Sequence, residues 1–149
     1  MQSLFDNQTH EEVLKRIDAL TNNSTPKWGS MNVRQMLKHC QRPLQFANGK
    51  LGLDKPNAFM RLVFKLYKSK MYNDDPWNQN IPTVKEFLVT ETDSFETEKR
   101  MLLTEIHDFE NKATNLHWPE HPAFGHFSTS QWGQMQYKHL DHHLRQFGV

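Results

Sequence analysis

The last 22 residues, Ser128 to Val149 with the sequence STSQWGQMQYKHLDHHLRQFGV, decide the expected fold. Ser128 followed three residues later by Gln131 forms the capping box that starts a helix, and no proline interrupts the stretch after it. At about 100° per residue, one face of this helix spans about 300° to 60° and carries Trp132, Met135, His139, His143 and Phe147. The opposite side, at about 180° to 240°, is predicted to face solvent and carries Gln134, Lys138, Asp141 and Arg145. The stretch therefore predicts a long amphipathic helix that directs His139 and His143 into a helical core.

His139 and His143 are one helical turn apart, which is the spacing of a pair that can share a metal ion. Their Cβ atoms should be about 5 to 6 Å apart, and both imidazoles can reach an ion at the about 2.0 to 2.1 Å of a zinc–nitrogen bond. His142 falls at about 280°, at the edge of the apolar arc, so His143 is the better partner for His139. An isolated HxxxH pair is more often structural than metal-binding, so a metal site requires a third ligand.

The candidate third ligand is His39, in the segment MNVRQMLKHCQRPLQFANG. Asn32 is a good N-cap for a helix here, and Asn48-Gly49 should end it. Pro43 cannot donate to the carbonyl of His39, so it predicts a kink. His39 shares an arc with Gln35, Pro43 and Phe46, beside the main apolar stripe of Val33, Met36, Cys40 and Leu44. An inward His39 is compatible with this pattern, and Cys40, about 100° away, is expected to be a small core residue.

Two further long helices and one shorter helix complete the expected architecture. Capping boxes begin the long ones at Thr9 with Glu12 and at Asp93 with Glu96. The run NAFMRLVFKLYKSKMY after Pro56 predicts the shorter helix, with a broad apolar face, and NDDPWNQNIPT after it predicts a surface loop. The fold class is all-α, with residues 1–149 forming one domain. An antiparallel four-helix bundle with a long, helix-containing connection between its second and third helices is the simplest solution.

The composition disfavours several classes of partner and limits the ligands that a metal site could use. The 149 residues carry 18 Lys+Arg against 17 Asp+Glu, a formal net charge of +1. Such a balance favours neither a nucleic acid nor an anionic membrane as partner. A single cysteine excludes an internal disulfide, so a metal site must use histidines or carboxylates. The first residues lack the basic and apolar regions of a signal peptide and no stretch is long enough to span a membrane, so we expect a cytoplasmic protein.

Two motifs of this chain resemble the DinB/YfiT superfamily of metalloenzymes. They are WGSMNVRQMLKHC, residues 28–40, and HPAFGHFSTSQWGQMQYKHLDHHLRQF, residues 121–147. Within that superfamily they are especially similar to a branch that is named only as a domain of unknown function. The resemblance covers the whole chain and implies a four-helix bundle of the DinB/YfiT type. It also implies a divalent metal ion held by His39 from the second helix and by His139 and His143 from the last.

Three histidines leave at least one coordination position open, which is the arrangement of catalytic zinc sites. An ion held in this way can lower the pKa of bound water to about 7 or hold a thiol as thiolate. The resemblance implies S-transfer from a small thiol such as bacillithiol or mycothiol to a small-molecule substrate. Metal-dependent hydrolysis is the alternative enzymatic reaction, and a non-enzymatic metal-binding bundle acting in dimerisation or stress response is the third interpretation. Zinc is the default metal, with nickel, copper and iron as alternatives.

The remaining candidate residues belong to the pocket around the metal or to the loop before the last helix. Gln35, Trp132 and Gln136 are predicted to line the pocket. Glu120 and Asp141 are the carboxylates nearest in sequence, yet neither qualifies as a general base, so the catalytic residues stay unknown. His117, His121 and His126 are candidates for the rim of the pocket, for an auxiliary metal ligand or for simple solvent exposure, and exposure is the expected state of each. A homodimer is the expected assembly.

Overall fold

The computed structural model describes residues 1–114 and 117–149, and the regular secondary structure of this part of the chain is helical. Its α-helices are α1 (Asn7–Asp18), α2 (Val33–Ala47), α3 (Ala58–Tyr67), α4 (Phe95–Glu110) and α5 (Thr129–Gln146). Two short 3₁₀ turns, Lys68–Met71 and Lys85–Phe87, lie between α3 and α4. Within the described ranges there is no β-strand, only one isolated bridge between His121 and Gly125. The prediction of an all-α fold is thus confirmed.

Local capping signals placed two of the long helices correctly. Asn32 accepts from the backbone N–H of Gln35, and Gln35 accepts in return from that of Asn32. Ser128 and Gln131 form the same box at the start of α5. The predicted starts of the other two long helices are slightly wrong. The helix α1 begins at Asn7, before Thr9, and α4 is capped by Ser94 rather than by Asp93. The helix α2 continues through Pro43 to Ala47.

Paired side chains along α2 and α4 reveal the direction of the helices. Gln41 Nε2 donates to Glu98 Oε2 at 2.8 Å, and Asn48 Nδ2 donates to Glu105 Oε2 at 2.8 Å. Both pairs are 57 residues apart, so α2 and α4 run parallel. The expected antiparallel arrangement is wrong for this pair, because the long connection between them returns the chain to the same end of the molecule. The helices α2 and α5 run antiparallel. His39 contacts His139, and Pro43, four residues later on α2, contacts Gln136, three residues earlier on α5.

The core lies between α5 and its neighbours. Trp132, Leu140 and Leu144 of α5 are 0–2% exposed, and α1 and α2 both contact this helix. The apolar face predicted for α3 is outside this core: no residue of α3, all of which are described, is buried, and Phe59 and Leu66 are 72% and 76% exposed. Cys40 lies in the core, as predicted, with its thiol directed to Met36 Sδ at 3.6 Å. No described helix has the length and apolar character needed to cross a membrane.

Candidate metal centre

Three histidine side chains meet where α2 crosses α5. His39 projects from the middle of α2, and His139 and His143 project from successive turns of α5. One ring nitrogen of each lies within 4.8 Å of one nitrogen of both others. The ring centroids are 4.7 Å apart for two of the pairs and 5.1 Å apart for His39 and His139. All three residues are buried, at 5–8% exposure, so the cluster is nearly closed to bulk water.

A backbone carbonyl orients the ring of His39. His39 Nδ1 lies 2.9 Å from the carbonyl oxygen of Phe87, at the end of the 3₁₀ turn that contacts α2. A carbonyl oxygen only accepts hydrogen bonds, so Nδ1 carries the proton of this imidazole. The lone pair of a neutral His39 is therefore on Nε2, the nitrogen that faces His139.

A chain of two hydrogen bonds orients the ring of His143. Gln146 Nε2 donates to the carbonyl oxygen of Trp28 at 2.7 Å, which assigns the positions of its amide nitrogen and oxygen. Gln146 Oε1 then lies 2.8 Å from His143 Nδ1 and accepts a hydrogen bond from its N–H group. As in His39, the lone pair of a neutral His143 is left on Nε2. Hydrogen bonds to the outer nitrogen of this kind are characteristic of histidines that bind metals.

The spacing of His39 and His139 fits the dimensions of a metal site. Their Nε2 atoms are 3.1 Å apart. Two nitrogens bound tetrahedrally at about 2.0–2.1 Å to one ion lie about 3.3–3.4 Å apart, so a small adjustment admits an ion. His139 Nδ1 is buried and, among the described residues, has no hydrogen-bond partner. Only histidine side chains contribute to this cluster within residues 1–114 and 117–149.

Burial keeps the three imidazoles neutral. Desolvation lowers the pKa of His39, lowers that of His139 well below its usual range, and lowers that of His143 to about 3. The other histidines of the cluster lower the pKa of His139 and His143 further, because neighbouring positive charges repel. A neutral imidazole is the form that binds metal ions, so the cluster is ready to act as a ligand set at pH 7.

We expect the metal-free protein to lose stability as the pH falls from 7 to 5. The pKa of a histidine in the unfolded chain is about 6.5, and in the folded protein that of His143 is about 3. Between these values the unfolded chain binds the extra proton, so the free energy of unfolding falls as the pH falls. At pH 5 the loss from His143 is about 2 kcal/mol.

Urea unfolding at pH 7 and pH 5 measures this loss. His143→Gln should remove about 2 kcal/mol of the difference between the two pH values. The control is His126→Gln, since His126 is exposed and the pH dependence should not change. An unchanged pH dependence in His143→Gln would contradict the assignment of a neutral, buried imidazole.

An apolar cavity of about 110 Å³ adjoins the histidine cluster. His139 is part of its wall, together with residues from α2, α5, the α2–α4 connection and the turn before α5: Pro43, Phe46, Met71, Trp77, Phe87, His121, Phe124, Trp132, Met135 and Gln136. Two of the residues predicted for the pocket, Trp132 and Gln136, therefore line the cavity beside the candidate ligands. Gln35 does not, because its side chain caps the N-terminus of α2.

The side of α5 that was predicted to face solvent is covered at Lys138 and Asp141, whereas Arg145 is exposed, as predicted. Lys138 is only 6% exposed, and its ammonium group donates to the carbonyl oxygens of Lys70 and Asn73 at 2.8 and 3.1 Å. The Asp141 side chain is 14% exposed and pairs with Arg16 of α1 at 2.9 Å. The prediction for these two positions is wrong because α1 and the connection after α3 pack on that side. Asp141, bound to Arg16, does not act as a base for the cluster, and Glu120 is exposed.

The three histidines of the loop before α5 differ in their surroundings. His117 and His126 are exposed, as predicted. His121 is not: it is half-buried, and its ring lies 5.4 Å from that of Phe46 and 4.8 Å from that of Phe124. Desolvation lowers its pKa to about 4. The expectation of an exposed His121 is wrong, because the turn at residues 121–125 folds its first side chain inwards.

Sequence reasoning missed the groups that orient the ligands. Gln146 lies three residues after His143 at about 320° on the same helical face, so its position was a usable signal. The carbonyl oxygens of Phe87 and Trp28 gave no such signal, because any residue type provides a backbone carbonyl. Trp77, whose ring lies 5.9 Å from that of His139, belongs to the segment predicted as a surface loop.

A comparison with protein families identifies the group to which the chain belongs. The family model described as "Protein of unknown function (DUF1569)" matches residues 2–148. Because the match covers almost the whole sequence, the chain belongs to this family. Comparison with curated proteins and with solved structures gave no significant match.

Proposed function

We propose that this protein is a metal-dependent enzyme that transfers a small thiol to an electrophilic small molecule. The observation that supports a metal site most strongly is the convergence of three buried, neutral imidazoles, two of which are held by hydrogen bonds at Nδ1. In this proposal His39, His139 and His143 bind the ion. Zinc is the default, and nickel, copper and iron are alternatives that imidazole ligands also accept.

The proposed architecture is the four-helix bundle of the DinB/YfiT type, formed by α1, α2, α4 and α5. Two features support it. The connection between α2 and α4 is long and contains α3, and one ligand would come from the second bundle helix and two from the last. The same distribution of ligands characterises the superfamily that the two sequence motifs resemble. Fold-level resemblance supports a site of this type more strongly than it supports any one substrate.

The ion would hold the sulfur of the small thiol as a thiolate at neutral pH, so the protein needs no reactive cysteine of its own. In the proposed reaction the sulfur forms a bond to an electrophilic carbon, the bond from that carbon to a halogen breaks, and halide and the thiol proton leave. The hydrogen bonds from Nδ1 to Phe87 and Gln146 leave Nε2 of His39 and of His143 available, and these nitrogens would hold the ion. The apolar cavity beside His139 would hold the electrophile and exclude water from it.

The surroundings of the cluster favour thiol transfer over hydrolysis. Hydrolysis by an activated water usually employs a general base within hydrogen-bond reach. The cluster contains no carboxylate among the described residues, and Asp141 is bound to Arg16. A thiol is already acidic enough to lose its proton on binding a metal ion, so its transfer depends less on such a base.

Metal analysis combined with a conjugation screen tests the proposal. Protein purified without a histidine tag should contain about one divalent ion per chain. With several small thiols and chlorinated or epoxide electrophiles, it should release halide or open the epoxide, and removal of the metal should abolish the reaction. The matched control is the same protein without thiol, which should be inactive.

Each outcome of this test supports a different interpretation of the site. A wild-type protein that binds no divalent ion would overturn the proposal as a whole. Bound metal with ester hydrolysis but no thiol transfer would favour the hydrolase, and bound metal without any turnover would favour a non-enzymatic metal-binding protein. The homodimer stays a prediction that analytical ultracentrifugation of the same sample can examine.

A further inference from the structure

A tight turn before α5 fixes the protonation of His121. The backbone groups of His121 and Gly125 exchange two hydrogen bonds, of 3.0 and 2.7 Å. Inside this turn, His121 Nδ1 accepts from the backbone N–H groups of Ala123 and Phe124, at 3.2 and 3.3 Å. A nitrogen that accepts hydrogen bonds carries no proton, so the proton of the neutral imidazole is on Nε2.

The Nε2–H group of His121 has no acceptor within the described part of the chain. The neighbours of the ring are aromatic: Phe46, Phe124 and Phe127 have ring centroids 4.8 to 6.0 Å away. No described carboxylate pairs with His121, and desolvation lowers its pKa and keeps the ring neutral. Since Nε2 is not among the fully buried side-chain nitrogens, its N–H group is open to an acceptor from water or from a ligand.

His121 lines the same cavity as His139, the histidine of the candidate metal centre that borders it. Apart from these two and Gln136, the wall of the cavity is apolar and mainly aromatic. The volume, about 110 Å³, compares with the about 150 Å³ of an engineered cavity that binds benzene. It therefore suits one small ring or a group of similar size.

We propose that His121 binds the substrate, donating a hydrogen bond from Nε2 to an oxygen acceptor on a one-ring aromatic molecule. The substrate class is an aryl ketone or a similar aromatic carbonyl compound, since its ring matches the apolar wall and its oxygen satisfies the unpartnered donor. In the proposed thiol transfer, the electrophilic carbon would be attached to this carbonyl group. That role rests on the proposed function, whereas binding of the ring and the oxygen does not.

Two probes of nearly equal shape separate the hydrogen bond from apolar burial. Acetophenone carries the carbonyl oxygen, and isopropylbenzene replaces it with a methyl group. Their dissociation constants are measured by NMR titration of the ¹⁵N-labelled full-length protein, both as purified and after EDTA treatment. We expect wild type to bind both, and His121→Phe to weaken acetophenone by about 3- to 10-fold, the effect of one neutral hydrogen bond, while leaving isopropylbenzene unchanged. His126→Phe, on the same loop but exposed, should change neither.

A second measurement needs no variant and so does not depend on how His121→Phe folds. The ¹⁵N shifts of the His121 ring should indicate the Nε2–H tautomer, and acetophenone but not isopropylbenzene should move the Nε2 resonance. A proton on Nδ1, an equal loss of both probes in His121→Phe, or no binding of either probe to wild type would overturn the inference. Because the EDTA-treated protein is included, these results are independent of whether the histidine cluster binds a metal.

Discussion

Replacing His143 with alanine should abolish tight binding of a divalent metal ion. The substitution removes one of three converging imidazoles, leaving His39 and His139. Loss of an outer-shell partner alone typically costs about 10- to 100-fold in metal affinity, so loss of a ligand should cost at least about 100-fold. Metal content after dialysis against a metal buffer measures the effect, and circular dichroism of the metal-free proteins checks that the fold is retained.

His142→Ala is the matched control for this prediction. His142 is adjacent in sequence and its ring lies 5.0 Å from that of His143, but it packs between Trp28 and Trp77 and is outside the cluster. Its removal should leave metal affinity unchanged. The opposite pattern, with binding lost in His142→Ala and kept in His143→Ala, would show that the wrong member of the histidine pair has been assigned.

The helices that local signals specify were the most predictable part of the fold. The capping boxes at Asn32 and Ser128 are complete within four residues, so the sequence is sufficient to recognise them. The start of α1 was less predictable because it depends on tertiary contact: Leu4 N–H donates to the carbonyl of Gly133 on α5, which positions the chain just before this helix. The parallel pairing of α2 and α4 likewise depends on how the connection between them folds.

The covered side of α5 shows the limit of helical periodicity. Periodicity predicts a solvent face from the polar character of Lys138 and Asp141. A polar side chain can nevertheless be buried when its partners are supplied, and here loop carbonyls accept from Lys138 while Arg16 pairs with Asp141. Those partners lie between 65 and 125 residues away in the sequence, so no local pattern indicates them.

The part of the candidate site that lies on one helix, α5, was predictable from the sequence, and the parts contributed by other elements were less so. The angular positions of His139 and His143 placed both in the core, where the structure has them. His39 required the family resemblance, because its arc on α2 lies beside the main apolar stripe rather than within it. His121 was assigned to the solvent because it lies in a loop. The hydrogen bonds that turn its ring inwards come from backbone N–H groups, which every non-proline residue provides, so no pattern in the sequence indicates them.

Gln146→Leu should weaken metal binding by about 10- to 100-fold without removing any ligand. Leucine approximates the size of glutamine but cannot accept the hydrogen bond that His143 Nδ1 donates to Gln146 Oε1 at 2.8 Å. The ring of His143 then loses the hydrogen bond that selects its tautomer and orientation. Isothermal titration of the metal-free proteins with zinc measures the affinity, with urea unfolding in parallel to measure stability.

Two further variants separate orientation of the ligand from general stability. Gln146→Glu keeps an acceptor for Nδ1 but cannot donate to the Trp28 carbonyl, so we expect metal affinity near wild type together with a stability loss of about 1–3 kcal/mol. Gln136→Leu removes another buried glutamine of α5, which donates to the carbonyl of Pro43, and should lower stability without changing zinc affinity. If zinc affinity followed stability across all three variants, Gln146 would be a packing residue. If only Gln146→Leu loses affinity, the hydrogen bond from His143 Nδ1 to Gln146 prepares the site for metal.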